Sequence, residues 1–124
     1  MARILIAEDE ESVRNLVRRA LETDGHAVTQ AADGAEALDI LNKTHGAFDL
    51  LLTDIKMPVM DGIALALAAA RDHPSLTIML MTGYADQRER ASGLEGLVQG
   101  IIAKPFTVAD IRFAVAAALA KGKL

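Results

Sequence analysis

The sequence predicts an α/β fold, a doubly wound sandwich of five parallel strands and five helices in one domain spanning residues 1–124. Five short runs rich in branched apolar residues, Ile4 to Ala7, Ala27 to Gln30, Leu50 to Thr53, Ile78 to Thr82 and Ile101 to Ala103, alternate with longer stretches of helical period. The first, third and fourth runs are apolar at nearly every position, the pattern of strands buried on both faces of a parallel sheet. Strand and helix alternate without a break in composition, which calls for right-handed crossovers and helices on both faces.

The helices are legible in order. Val13, Leu16, Val17, Ala20 and Leu21 fall at i, i+3, i+4, i+7 and i+8, one stripe of a first helix that ends before Gly25. Asp33 with Glu36 marks the capped start of a second helix carrying Ala37, Leu38 and Leu41, and Thr107 with Asp110 marks the last, carrying Ile111, Val115 and Leu119. A third helix is expected from Gly62 to about Asp72, with Ile63, Ala66, Leu67 and Ala70 on its apolar face and Pro74 preventing its continuation. Gln87 to Leu97 reads as a short, mobile fourth helix, because Gly93 and Gly96 each cost roughly 1 kcal/mol against Ala in a helix interior.

Composition narrows the class. With 124 residues, 52% of them apolar, the chain can bury one core and leaves no room for a separate output domain. A net charge of −4 argues against a nucleic-acid partner, since phosphate binding calls for a basic patch. The absence of cysteine rules out disulfides and thiolate metal sites. The apolar run at the start stops at Glu8, too short for a signal peptide or a membrane span, so a cytoplasmic protein is expected. His26, His45 and His73 lie in separate turns without ligand-like spacing, and Met57, Met60, Met79 and Met81 suit packing.

The chemistry gathers at the carboxyl ends of the strands, where open α/β sheets bind their ligands. The first strand ends in Glu8-Asp9, the third in Asp54, the fourth in Thr82 and the fifth in Lys104. Each has an ordinary explanation alone: an acidic first turn, a turn cap, a loop lysine. Together they place three carboxylates, a hydroxyl and an ammonium on one rim. Crowded carboxylates keep a proton or hold cations, and an all-oxygen set suits Mg²⁺. Phosphoryl transfer needs an in-line nucleophile and fixed positive charge. Asp54 is the candidate nucleophile, Asp9 a metal ligand, Glu8 a ligand directly or through water, Lys104 a phosphate clamp and Thr82 a hydroxyl donor.

With these pieces in view, the chain resembles the CheY-like receiver domains of bacterial two-component response regulators. The matching segments are Ile4-Leu5-Ile6-Ala7-Glu8-Asp9, Leu52-Thr53-Asp54-Ile55-Lys56-Met57-Pro58-Val59-Met60-Asp61-Gly62, Met81-Thr82-Gly83 and Ala103-Lys104-Pro105-Phe106. The resemblance implies the flavodoxin-like strand order 2-1-3-4-5 and Asp54 as phosphoacceptor. It further implies Mg²⁺ held by Glu8, Asp9, Asp54 and the backbone carbonyl of Lys56, with Thr82 and Lys104 as switch residues. The implied donors are a sensor histidine kinase, a histidine phosphotransferase or a small acyl phosphate, with the domain assisting both phosphorylation and hydrolysis. The output face would be helix four, strand five and helix five, in a monomer or weak dimer. Its opening Met1-Ala2-Arg3-Ile4-Leu5 and its Met81-Thr82-Gly83-Tyr84 resemble the stand-alone CpdR type of alphaproteobacteria. That type implies a downstream protein target, the ClpXP protease, to which it delivers substrates when unphosphorylated.

Two positions depart from the family pattern: Glu8 replaces the more usual Asp, and Ile101 stands where an aromatic switch residue is common. Lys56 and Tyr84 occupy the two positions expected to tune the phosphoryl lifetime. Other uses of such a topology fit poorly. The chain lacks a Ser/Thr/Gly phosphate loop and ring-stacking aromatics for a flavin, a Gly-x-x-x-x-Gly-Lys-Ser/Thr loop for a nucleotide, and the second Asp of a haloacid-dehalogenase-type phosphatase, where Lys56 stands instead. A phosphorylation-independent interaction module and a phosphate sink in a relay remain alternative expectations.

Overall fold

A computed structural model describes residues 1–83, 85–94 and 96–121. Its elements are β1 (Arg3–Ala7), α1 (Glu11–Thr23), β2 (Ala27–Ala31), α2 (Gly34–Lys43), β3 (Leu50–Asp54), α3 (Gly62–Asp72), β4 (Thr77–Thr82), α4 (Ala85–Ala91), a 3₁₀ turn (Ser92–Leu94), β5 (Gly100–Ala103) and α5 (Val108–Lys121). All strand pairs are parallel, in the order β2-β1-β3-β4-β5. The five-stranded α/β expectation and its order therefore hold. The order reverses between β1 and β3, whose carboxyl ends define the crevice.

Alternation along the buried strands builds two cores. Leu5, Leu51, Ile78 and Leu80 face α2 and α3, packing with Ala37, Leu41, Leu65, Ala66 and Ala69. Ile4, Ile6, Leu50, Leu52, Met79 and Met81 face α1 and α5, packing with Val17, Leu21, Ile111 and Val115. Each fully buried large side chain contributes about 1.5–3 kcal/mol. Such two-sided burial explains why these strands read as unbroken apolar runs.

Capping holds the helices in register. Asp33 accepts the Glu36 N–H at 2.8 Å, while Glu36 reaches back to the Ala32 N–H. Thr107 and Asp110 form the reciprocal pair, at 2.9 and 3.0 Å. Asp61, a cap not anticipated from the sequence, accepts the Ala64 N–H at 2.9 Å.

At Gly62 a Cβ would lie 1.9 Å from the Asp54 carbonyl oxygen, so only glycine lets α3 start this close to the end of β3. That close approach sets the rotation of α3 and corrects one expectation. Its buried face is Gly62, Leu65, Ala66 and Ala69, with Leu67 47% exposed. Leu16 of α1 is likewise exposed, beyond the edge of the buried Val17, Ala20 and Leu21 stripe. The fourth helix begins at Ala85, two residues before the expected Gln87, and tightens to a 3₁₀ turn at Ser92. Among the described residues no helix is long and apolar enough to cross a membrane. Tyr84 lies outside the described residues.

Candidate functional site

The ends of four strands meet. Glu8 follows β1 directly and is fully buried, its backbone N–H donating to the Ala31 carbonyl at 3.1 Å. Its Oε2 accepts the Glu10 N–H at 3.0 Å, and Arg14 of α1 donates to its carbonyl oxygen at 2.8 Å. Asp54 closes β3 with 6% exposure, and its Oδ1 accepts the Ile55 N–H at 3.0 Å. Asp9 is exposed at the mouth. One carboxylate oxygen from each of Glu8, Asp9 and Asp54 lies within 4.8 Å of the others.

Lys104 enters from the far side of the sheet. Its backbone N–H donates to the Thr82 carbonyl at 2.7 Å, continuing the β4–β5 pairing by one residue, and the Lys104–Pro105 peptide bond is cis. Its ammonium then spans the rim, 2.8 Å from Glu8 Oε1 and 3.2 Å from Asp54 Oδ2. These residues open on a cavity of about 540 Å³ that is also lined by Lys56, Gly83 and Gln87. The Lys56 side chain is exposed there. Thr82 is 1% exposed and is not among the residues lining the cavity, and its Oγ1 has no hydrogen-bond partner among the described residues. A buried hydroxyl without a partner is costly, by about 1–3 kcal/mol.

Charge crowding is visible in the titration of the site. Burial pushes Glu8 up to about 7, against the pull of Lys104 and the Glu10 N–H. Burial also raises Asp54 above the ordinary carboxylate value, although Lys104 and the Ile55 N–H oppose it. Burial pulls on Lys104 in the opposite sense, but Glu8 and Asp54 outweigh it and hold the ammonium above its usual value. One cation is thus shared by two buried carboxyls that are both reluctant to ionise. Such a site has capacity for a further positive charge.

The structure therefore brings Glu8, Asp9, Asp54 and Lys104 into one cluster, puts Lys56 on its wall and leaves Thr82 just outside. Sequence reasoning missed three groups. Arg14 sits one turn into α1, where no motif or spacing marks it. Gln87 is 5% exposed and accepts the Gly83 N–H at 2.7 Å, although no spacing rule marks a lone glutamine. Arg90 of α4 pairs with Asp61 at 2.6 Å, tying the fourth helix to the loop that follows Asp54.

Ile101, by contrast, is where the sequence put it, 43% exposed on the edge strand and able to offer no aromatic ring.

Known proteins match this arrangement. The family model described as the response regulator receiver domain matches residues 4–116. The response regulator receiver protein CpdR of Brucella abortus is 40% identical over 111 residues, covering 90% of this chain and 91% of CpdR. The sensor kinase CckA of the same organism is 33% identical over 120 residues, covering 97% of this chain but 13% of the kinase. A response regulator receiver domain structure from Clostridium thermocellum superposes with a TM-score of 0.87 at 26% identity, covering 98% of this chain and 96% of that one.

Proposed function

This chain belongs to the family of response regulator receiver domains, and from that premise we propose that it is a switch operated by phosphorylation of Asp54. The observation that supports this most is the pairing of a buried Asp54 with Lys104 at 3.2 Å beside an unpartnered Thr82 hydroxyl. Receiver domains generally use Mg²⁺, and the all-carboxylate donor set of Glu8, Asp9 and Asp54 fits an ion that prefers oxygen ligands. When bound, the ion supplies positive charge to phosphoryl oxygens and to the crowded carboxylates. Lys56 is the further candidate ligand, through its backbone carbonyl.

The chain's own groups account for the rest. A carboxylate oxygen of Asp54 forms a bond to phosphorus as the P–N bond to a donor histidine breaks. The electron pair stays on the imidazole nitrogen, which takes up a proton from solvent. Lys104 then trades its contact with Asp54 for the new phosphoryl oxygens, to which it offers a charge-assisted hydrogen bond. Thr82 gains a partner for its hydroxyl only by moving toward the cavity, and that movement is the switch.

Moving a two-state protein from mostly off to mostly on takes about 5.5 kcal/mol, more than the roughly 1.5–3 kcal/mol of one hydrogen bond to a charged group. Thr82 and Lys104 are therefore needed together. They draw on the loop after β4 and so bias α4, β5 and α5, the face on which a protein target would read the state. The donor is a sensor histidine kinase or a histidine phosphotransferase. The resemblance to CpdR-type regulators makes the ClpX component of the ClpXP protease the first target to test.

Incubation with acetyl phosphate and Mg²⁺, followed by intact mass spectrometry, tests the reading. One added phosphoryl group, absent in Asp54→Ala, is expected. Absence of any adduct, with fluoroberyllate also failing to bind, would favour a phosphate-independent interaction module.

A further inference from the structure

Among the hydrogen-bond donors at or beside the Asp54 cavity, three are engaged and one buried hydroxyl is not. The Ile55 N–H is taken by Asp54 Oδ1, the Lys104 ammonium by Glu8 and Asp54, and the Gly83 N–H by Gln87 Oε1 at 2.7 Å. The unengaged one, the Thr82 hydroxyl, is buried and empty-handed. Gln87 is unlike the other occupants, since it is a neutral side chain brought in from α4, 5% exposed, facing a cavity whose other polar side chains are charged.

We infer that Gln87 is a built-in competitor for the phosphoryl group, its amide oxygen holding the Gly83 N–H that a phosphoryl oxygen takes over. The inference rests on the phosphoacceptor reading and adds a positioning residue to it. A charged acceptor forms hydrogen bonds roughly twice as strong as a neutral one. The exchange at Gly83 therefore runs toward the phosphorylated state. It also frees Gln87, whose bond ties α4 back to the end of β4. Occupancy of Asp54 thus reaches α4 by removing a contact. Because the neutral bond lost is a modest one, its removal by mutation is worth about a 2- to 10-fold change in affinity.

Fluoroberyllate with Mg²⁺ is the probe, on the full chain. Gln87→Met keeps the length of the side chain but loses the amide, and is expected to lower the Kd for fluoroberyllate about 2- to 10-fold. It should also accelerate hydrogen exchange of the Gly83 amide in the unliganded protein. Gln87→Glu keeps the acceptor and adds a negative charge, and is expected to bind fluoroberyllate more weakly than wild type. A merely structural role would weaken binding in both variants in step with a lower Tm. Gln87→Ala replaces Gln87→Met if the latter does not fold. An unchanged Kd, or an unchanged Gly83 exchange rate, overturns the inference while leaving the phosphoacceptor reading intact. Failure of the wild type to bind fluoroberyllate overturns both.

Discussion

Strands β3 and β5 belong to one sheet and both end in a candidate site residue, yet they are built differently. All five residues of β3 are buried, and it is flanked by β1 and β4. The four residues of β5 alternate between half-buried and exposed at the sheet edge, next to a fourth helix of seven residues. The half that carries Glu8, Asp9 and Asp54 is fixed by two cores, capped helices and the tight approach at Gly62. Thr82 closes β4, itself fully buried, but the elements beyond it that carry Gln87 and Lys104 are thinner, and their attachments to the site are single side chains. A phosphoacceptor needs a rigid nucleophile, while a readout needs elements whose alternative arrangements differ by few kcal/mol. The molecule separates the two needs across the crevice.

Truncation of matched apolar residues should expose the contrast most strongly. Leu51→Ala in β3 is expected to cost about 2–5 kcal/mol of unfolding free energy, and Ile101→Ala in β5, already 43% exposed, less than about 1 kcal/mol by the same reasoning. Urea denaturation of the two variants decides the point, and equal losses would erase the distinction.

The charged rim of the rigid half should show itself through pH. Glu8 has its folded-state value raised from 4.5 to about 7, so the folded protein holds that proton more tightly than the unfolded chain. Ionising it costs stability progressively as pH rises from about 4.5 to 7. At roughly 1.4 kcal/mol per unit the full effect is about 3 kcal/mol. Glu8→Gln is therefore expected to gain on wild type as pH is raised from 5 to 8, in thermal melts of the metal-free protein. A difference that is flat across this range would mean that Lys104 fully compensates the charge.

The smallest effect concerns the loop between Asp54 and α3. Val59 is 85% exposed with φ at 68°, a left-handed conformation that burdens a β-branched side chain. Val59→Gly is expected to stabilise by about 1 kcal/mol, read as a higher urea midpoint without change in slope. A loss of stability would show that the valine makes contacts that outweigh its strain.

Much of this was legible in the chain. Unbroken apolar runs located β1, β3 and β4 to within a residue, because two-sided burial leaves no other pattern, and short runs of branched apolar residues located the half-exposed edge strands β2 and β5 as closely. The strand-end polar residues identified the rim, since a sheet with helices on both faces has nowhere else to put them. Legibility failed where periodicity is silent. Helix α3 is apolar nearly all round, so its periodicity pointed to Leu67 where the structure buries Leu65, next to the close contact of Gly62 with the Asp54 carbonyl. Gln87 was invisible because its position depends on a single backbone N–H. The Glu8–Lys104 contact joins residues 96 positions apart and needed the fold to be seen.

The central claim is that a phosphoryl group on Asp54 acts through Thr82 on the thinner half. Hydrogen–deuterium exchange with and without fluoroberyllate and Mg²⁺, in wild type and Thr82→Ala, tests it most directly. The account predicts changed exchange from α4 through β5 in wild type, near-constant exchange from β1 through α3, and a much smaller α4–β5 change in Thr82→Ala, where only the release of Gln87 remains, although the probe still binds. Equal changes in both proteins, or changes spread evenly over both halves, would contradict it.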